Sequence, residues 1–174
     1  MPAKKQNTIE ELKNMGVDAA LSLAATQPWS QVTMLDIARA ADCELADLFA
    51  LFDHKEDILA TYGRQVDVEL ARRMGPQDGE IKDRLFDILM ERFEILNENR
   101  AAVLSILHAM GREPKQILYS GSFLCRSMGK VLDIAGTSPG GWCGMVRVAG
   151  LSAIFGRVLM VWKMDESPDM PKTM

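Results

Sequence analysis

The side chains best placed to do chemistry in this sequence lie between Thr33 and Tyr62, in the string TMLDIARAADCELADLFALFDHKEDILATY. Two cations, Arg39 and Lys55, stand there against seven carboxylates, Asp36, Asp42, Glu44, Asp47, Asp53, Glu56 and Asp57, a net of −5 where the whole chain carries −4. Cations of this kind neutralise phosphates, and that term supplies most non-specific DNA affinity. An acidic balance works against DNA, except for those acids that cap helices and face away. Elsewhere the chemistry is sparse. Cys43, Cys125 and Cys143 are an odd, scattered set, read as reduced thiols. His54 and His108 are isolated. No nucleophile–base pattern, carboxylate pair, glycine-rich phosphate loop or metal-ligand spacing stands out, so neither an enzyme nor a metal or other cofactor is expected.

The elements that must position these residues are helical. Thr33 precedes an apolar run and has Asp36 three residues on, which places a helix start at Thr33. Ala41-Asp42-Cys43 is small enough to turn the chain before a second short helix, Glu44 to Phe52, whose Leu45, Leu48, Phe49 and Phe52 recur at helical spacing. His54 or Asp53 can cap a third helix, with Glu56 and Asp57 where the dipole favours acids. Two short helices joined by a three- to four-residue turn make a helix-turn-helix, in which the second helix is offered to the major groove.

The string Thr33-Met-Leu-Asp-Ile-Ala-Arg-Ala-Ala, then Leu48-Phe49, Phe52 and Lys55-Glu-Asp-Ile-Leu, resembles the amino-terminal domain of TetR-family regulators, closely over about 55 residues from Ile9 to Tyr62. The resemblance implies an all-α, TetR-like fold: a three-helix DNA-binding head over residues 1–75 and a helical body for ligand binding and dimerisation over 76–174. It also implies DNA contacts at Thr33, Arg39, Leu45, Ala46, Asp47, Phe49 and Lys55. Several of these depart from the family pattern. The turn has Asp42-Cys43 where glycine and valine are usual, and Phe49 lacks the hydroxyl of the usual tyrosine. Asp47 would turn a carboxylate to a groove edge, where such a group serves only to accept from a cytosine amine. Thr33 and Lys55 are the usual contact positions that survive, with Arg39 as a phosphate partner and Lys4 and Lys5 as a mobile arm.

Length and composition suit a globular chain. With 174 residues it can bury a sizeable core, and 48% hydrophobic with 25% charged residues is ordinary for a soluble domain. The start has no signal-peptide core and no run of about 18 uninterrupted apolar residues occurs, so a cytoplasmic location without a transmembrane segment is expected. The first helix opens at Thr8 and ends at Gln27-Pro28-Trp29-Ser30, with Trp29 packing under the head. The helix from His54 runs to about Met74, where Gly75 to Gly79 break the chain. Helices follow over Ile81 to Leu96, Ala101 to Met110, Lys115 to Ala135 and Met145 to Lys163; no strand pattern, repeat or low-complexity segment appears.

Methionines spread over the body helices, Met90, Met110, Met128, Met145 and Met160 among them, fit either a cavity for a flexible apolar ligand or an ordinary core. TetR-like proteins hold an apolar ligand among these helices, and Met90, Phe93, Leu96, Leu107, His108, Phe123, Leu124 and Met128 are the wall candidates, with His108 as polar handle. In the last long helix Gly144, Gly150 and Gly156 with Ala149, Ser152 and Ala153 permit close helix approach. The resemblance implies a homodimer through the final helices, with Gly144, Val148, Leu151, Phe155, Leu159 and Trp162 as contacts. Ser167-Pro168-Asp169 reads as the cap of a further helix that stops at Met174, which implies a reduced dimer face or a longer gene product.

The stretch from Val146 to Asp169, above all Val161-Trp162 followed by Asp-Glu-Ser-Pro-Asp, resembles the carboxy-terminal part of the lipid-binding accessory protein of ubiquinone biosynthesis, which shares the TetR fold and is not a DNA-binding regulator. Two functions therefore stand. One is a ligand-responsive repressor that binds operator DNA, double-stranded and palindromic, as a homodimer. The other is a lipid- or isoprenoid-binding protein that has lost DNA binding.

Overall fold

In the computed structural model, which describes residues 2–75, 78–111 and 114–164, helix α1 runs Pro2–Thr26. It starts six residues before the expected Thr8. Proline is preorganised for a first helical position, and Ala3, Lys4 and Lys5 are good helix formers. A 3-10 turn, Trp29–Gln31, leads to α2, Met34–Ala40. The turn after α2 bends at Asp42, whose φ of 50° puts it in the left-handed region that aspartate tolerates better than most residues. Helix α3, Leu45–Phe49, is shorter than its apolar spacing predicts. Its last turn tightens, with the Leu51 N–H donating to the Leu48 carbonyl. The remaining helices are α4 Lys55–Met74, α5 Ile81–Glu98, α6 Arg100–Met110, α7 Pro114–Ile134 and α8 Gly141–Met164, with no strand among the described residues. The side chains of Lys4 and Lys5 and the Ser167-Pro168-Asp169 segment lie outside the described residues.

The chain divides into two compact units, one of residues 1–65 with 98–116, the other of residues 66–97 with 117–174. This differs from a boundary at residue 75, because α6 joins the head and the later part of α4 does not. Val17, Ala20, Ala24, Trp29, Ile37, Leu48, Phe52 and Ile58 share one buried cluster with Ala102 and Ile106 of α6. The α1 face that a three-helix head would leave wet is thus covered, and burying it stabilises the unit at roughly 25 cal/mol per Å² of apolar surface.

In the second unit α7 ends in a Schellman motif. The Gly136 N–H donates to the Asp133 carbonyl and the Thr137 N–H to the Leu132 carbonyl, with Gly136 at a φ of 73°. The stacked rings of Phe93 and Phe155, 5.1 Å between centroids, and Trp162, 6.1 Å from Phe93, are all buried. Helix α8 begins four residues before the expected Met145, entered through Gly141 at a φ of 71°. Among the described residues it is the one helix long and apolar enough to cross a membrane, with mean hydropathy 1.6, although Arg147 and Arg157 interrupt it.

Candidate nucleic-acid interface and ligand cleft

Thr33 forms the capping box that its spacing predicts. Its Oγ1 accepts from the Asp36 N–H at 3.2 Å and donates to Asp36 Oδ2 at 2.6 Å, while its own N–H donates to the same carboxylate at 3.0 Å. The Thr33 hydroxyl, then the Thr33 backbone N–H, hold the Asp36 carboxyl below its ordinary value. The one hydroxyl proton of Thr33 is spent inside the head.

Lys55 is spent there too. It opens α4, yet its Nζ donates to the carbonyls of Trp29 and Val32, each at 2.9 Å, and lies 5.0 Å from the centroid of the Trp29 ring. Trp29 is held in turn, its N–H donating to Ser105 Oγ at 3.0 Å and the Ser105 hydroxyl donating to the Gln27 carbonyl at 3.2 Å. The ammonium joins the Val32 N–H on the Trp29 carbonyl and also takes the Val32 carbonyl, tying the turn to α4. Both surviving contact positions, Thr33 and Lys55, thus carry hydrogen bonds within the head.

The outward surface of α3 offers little in their place. Leu45 is half-buried against the head's core, and Ala46, Asp47 and Phe49 are exposed, Phe49 to 50%. Asp42 and Glu44 flank them in the open. Burial pushes the Cys43 thiol up, and the charges of Asp47 and Asp42 push it further, a local sign that the entrance to α3 is electronegative. Arg39 is exposed and is the one cation that α2 and α3 carry.

The expected ligand-wall residues divide between the two units. Phe93, Leu96 and Met128 are buried, and Met90, Phe123 and Leu124 half-buried, in the second unit. Leu107 and His108 belong to the first, where exposed His108 has its Nδ1 3.0 Å from the Leu104 carbonyl and helps line a cleft with Trp29 and Ser105. Phe93 stacks on Phe155, so this face of α5 contributes to the core of the second unit.

A cleft opens elsewhere in the second unit, about 380 Å³ between the start of α5, the end of α7 and the middle of α8. Leu85, Leu132 and Leu151 form its floor and Thr137 and Arg147 are its polar members. The sequence gives neither a role, because no local spacing pairs Thr137 with Arg147.

The same is true of a buried charge cluster. Asp67 is 4% exposed and Arg92 5%; Arg92 Nη1 donates to Asp67 Oδ1 at 2.7 Å, Ser127 Oγ donates to the same oxygen, and Lys130 Nζ donates to Oδ2 at 3.0 Å. Burial raises the Asp67 pKa, but Arg92 outweighs it with help from the hydrogen bonds of Ser127, Arg92 and Lys130, and the carboxyl ends below its ordinary value. The cluster ties α4, α5 and α7. Nothing in sequence spacing pairs positions 67, 92 and 127.

The expected dimer contacts lie on the inner side of α8. Gly144, Leu151, Phe155 and Trp162 are buried within their own unit, and Val148 and Leu159 half-buried beside them. At Gly144 a side chain would overlap the Pro139 carbonyl, so its smallness serves the α7–α8 connection. The opposite face of α8 is the open one: Trp142 is 77% exposed, with Val146, Ala149, Ala153, Met160 and Met164 exposed along it.

Among the described residues no cluster of histidine, cysteine or acidic side chains is arranged to hold a metal. No family model and no curated protein matches the sequence. Among solved structures the chain is similar to the crystal structure of the TetR transcriptional regulator from Nitrosomonas europaea, at 18% identity over 92% of this chain and 90% of that one, with a TM-score of 0.75. A capping box opening α2, a five-residue α3 and six further helices among the described residues, with this likeness, give the chain the all-α TetR-like fold.

Proposed function

We propose that this chain is a TetR-fold binding protein, working as a cytoplasmic homodimer, that holds a small apolar ligand or lipid in its second unit and does not use its helix-turn-helix to read DNA. The observation that carries this reading is the engagement of Lys55, whose ammonium donates to two backbone carbonyls at 2.9 Å in a head that otherwise presents Asp42, Glu44, Asp47 and Phe49. Each phosphate contact needs a cation, and log affinity falls by roughly 0.9 per contact for each tenfold rise in salt. With Arg39 alone on α2 and α3, the electrostatic term is too small to offset seven local acids. Fold does not carry function with it. The open apolar face of α8 supports a second copy of the chain as its partner, since a contiguous patch of this kind marks an association surface.

The second reading is a DNA-binding regulator, favoured by the fold likeness to a structure described as a transcriptional regulator. In that reading the ligand would shift the spacing of two heads, which requires it to bind one head arrangement better than the other. Genomic fragments incubated with the protein across a salt series separate the two. The binding-protein reading expects no sequence to be retained even at low ionic strength; retention that Arg39→Ala abolishes would establish the regulator instead. Native mass spectrometry of gently extracted protein should find an apolar adduct on a dimer, and an empty protein would count against ligand binding in either reading.

A further inference from the structure

We propose that the cleft between α5, α7 and α8 binds a single-chain amphiphile with an ionised carboxylate head, its chain along the aliphatic floor and its head on Arg147 and Thr137. This rests on the reading that the second unit takes an apolar ligand, and adds where that ligand sits and what head it carries.

Three observations converge. The first is size and wall chemistry: about 380 Å³ lies near the small end of ligand pockets, roughly 300–1,000 Å³, which suits one chain rather than two. Its walls are aliphatic, without an aromatic ring, and so fit a flexible alkyl chain better than a flat ring system. Ile81 and Ile154 stand at its edge 49% and 56% exposed, apolar surface that a bound chain would cover.

The second is unused space. Gly150 lines the cleft from α8, and a Cβ built there would meet nothing within 4 Å. Mid-helix glycine costs roughly 1 kcal/mol against alanine. Here it keeps the cleft open where Gly144, six residues earlier, keeps room for a backbone carbonyl.

The third is polar complementarity. The Schellman motif at the end of α7 fixes Thr137, whose Oγ1 is buried and has no hydrogen-bond partner among the described residues. A buried hydroxyl without a partner is costly unless a ligand completes it. Arg147, on the other wall, has no ion pair among the described residues, and its α8 neighbours three and four residues away, Cys143, Gly144, Gly150 and Leu151, carry no acid. Nearby, the Arg84 guanidinium reaches to 3.4 Å from where a Cβ of Gly136 would stand. The negative end of the α7 dipole lies at this turn, so an anion is held there only through the Arg147 guanidinium. A guanidinium matches a carboxylate in planar, two-pronged fashion, and a hydroxyl completes it.

The test uses the full chain and isothermal titration with dodecanoate, 1-dodecanol and dodecyltrimethylammonium. The expected result is that dodecanoate binds once per protomer, at least tenfold tighter than the alcohol, and that the cationic amphiphile binds weakest. Arg147→Gln should bring dodecanoate down to the level of the alcohol. Gly150→Leu should abolish binding of both while leaving the thermal midpoint unchanged or raised, since leucine favours helix and the site is open. Equal affinity for acid and alcohol, or binding that survives Gly150→Leu, would overturn the proposal while leaving an apolar ligand in place; failure of all three probes would overturn both.

Discussion

Lys55 and Asp67 show how far a side chain's charge is decided by what surrounds it. The Lys55 ammonium bridges the Trp29 and Val32 carbonyls over the Trp29 ring, so its removal should be felt in folding and not in DNA retention. Lys55→Met is expected to cost about 1.5 kcal/mol, the lower end for hydrogen bonds to a charged group because the site is only half-buried, read from the denaturant midpoint at constant slope. Asp67 is the opposite case, a carboxylate that carries more stability than its count of partners implies. Asp67→Asn leaves Arg92 buried without its counter-charge and should cost about 3–5 kcal/mol. Because the folded carboxyl sits below its ordinary value of 3.8, the stabilisation is fully present above that pH and is lost as pH falls through the lower, folded value. Acid unfolding of the native chain should therefore steepen below about pH 4, and the Asp67→Asn variant should lack that component.

At the scale of the element, α8 is three helices in one. Its inner face, with Leu151, Phe155 and Trp162, is core; a flank with Arg147, Gly150 and Ile154 borders the cleft; its outer face, from Trp142 to Met164, is apolar and open. The two glycines of this helix should then respond oppositely. Gly144→Ala drives a methyl group into the Pro139 carbonyl and is expected to destabilise by about 1–3 kcal/mol, while Gly150→Ala has open space and should gain about 0.5–1 kcal/mol, both measured by chemical denaturation. An opposite order would mean that the connection before α8 is not packed as described. The helix was legible as a helix, with its small residues and its apolar run. Which face turned inward was not, because an apolar residue stands at nearly every angle around it and periodicity gives no preferred side.

For the whole molecule, the proposed homodimer makes the outer face of α8 the association surface to test. Ala153→Glu places a charge in the centre of that open stripe without touching the inner face, so sedimentation should show a mass halved from dimer to protomer with secondary structure retained. A dimer that survives this change, or a native chain that sediments as a monomer, would remove α8 as the association surface. The division of the chain also acts at this scale. Helix α6, far along the sequence from the head, completes the head's core through Ala102 and Ile106, and its Ser105 holds Trp29, the residue whose carbonyl Lys55 engages. What neutralises the reading head's cation is thus reinforced from beyond residue 98.

Local chemistry in the sequence determined the helices, the capping box at Thr33, the tight turn through Asp42 and the acidic character of the α2–α3 region. Each of these follows from neighbours within four residues, through caps, dipoles and side-chain periodicity. Only the tertiary structure decided that Lys55 faces the Trp29 and Val32 carbonyls, that Phe93 and Met128 are core while a cleft opens at Thr137 and Arg147, and that Asp67 meets Arg92 and Ser127. The hydrogen-bonded partners among these, Lys55 with Trp29 and Val32 and Asp67 with Arg92 and Ser127, are separated by more than twenty residues along the chain. Their meeting depends on how helices cross and which faces they spend on one another, and hydrophobic patterning alone leaves that open.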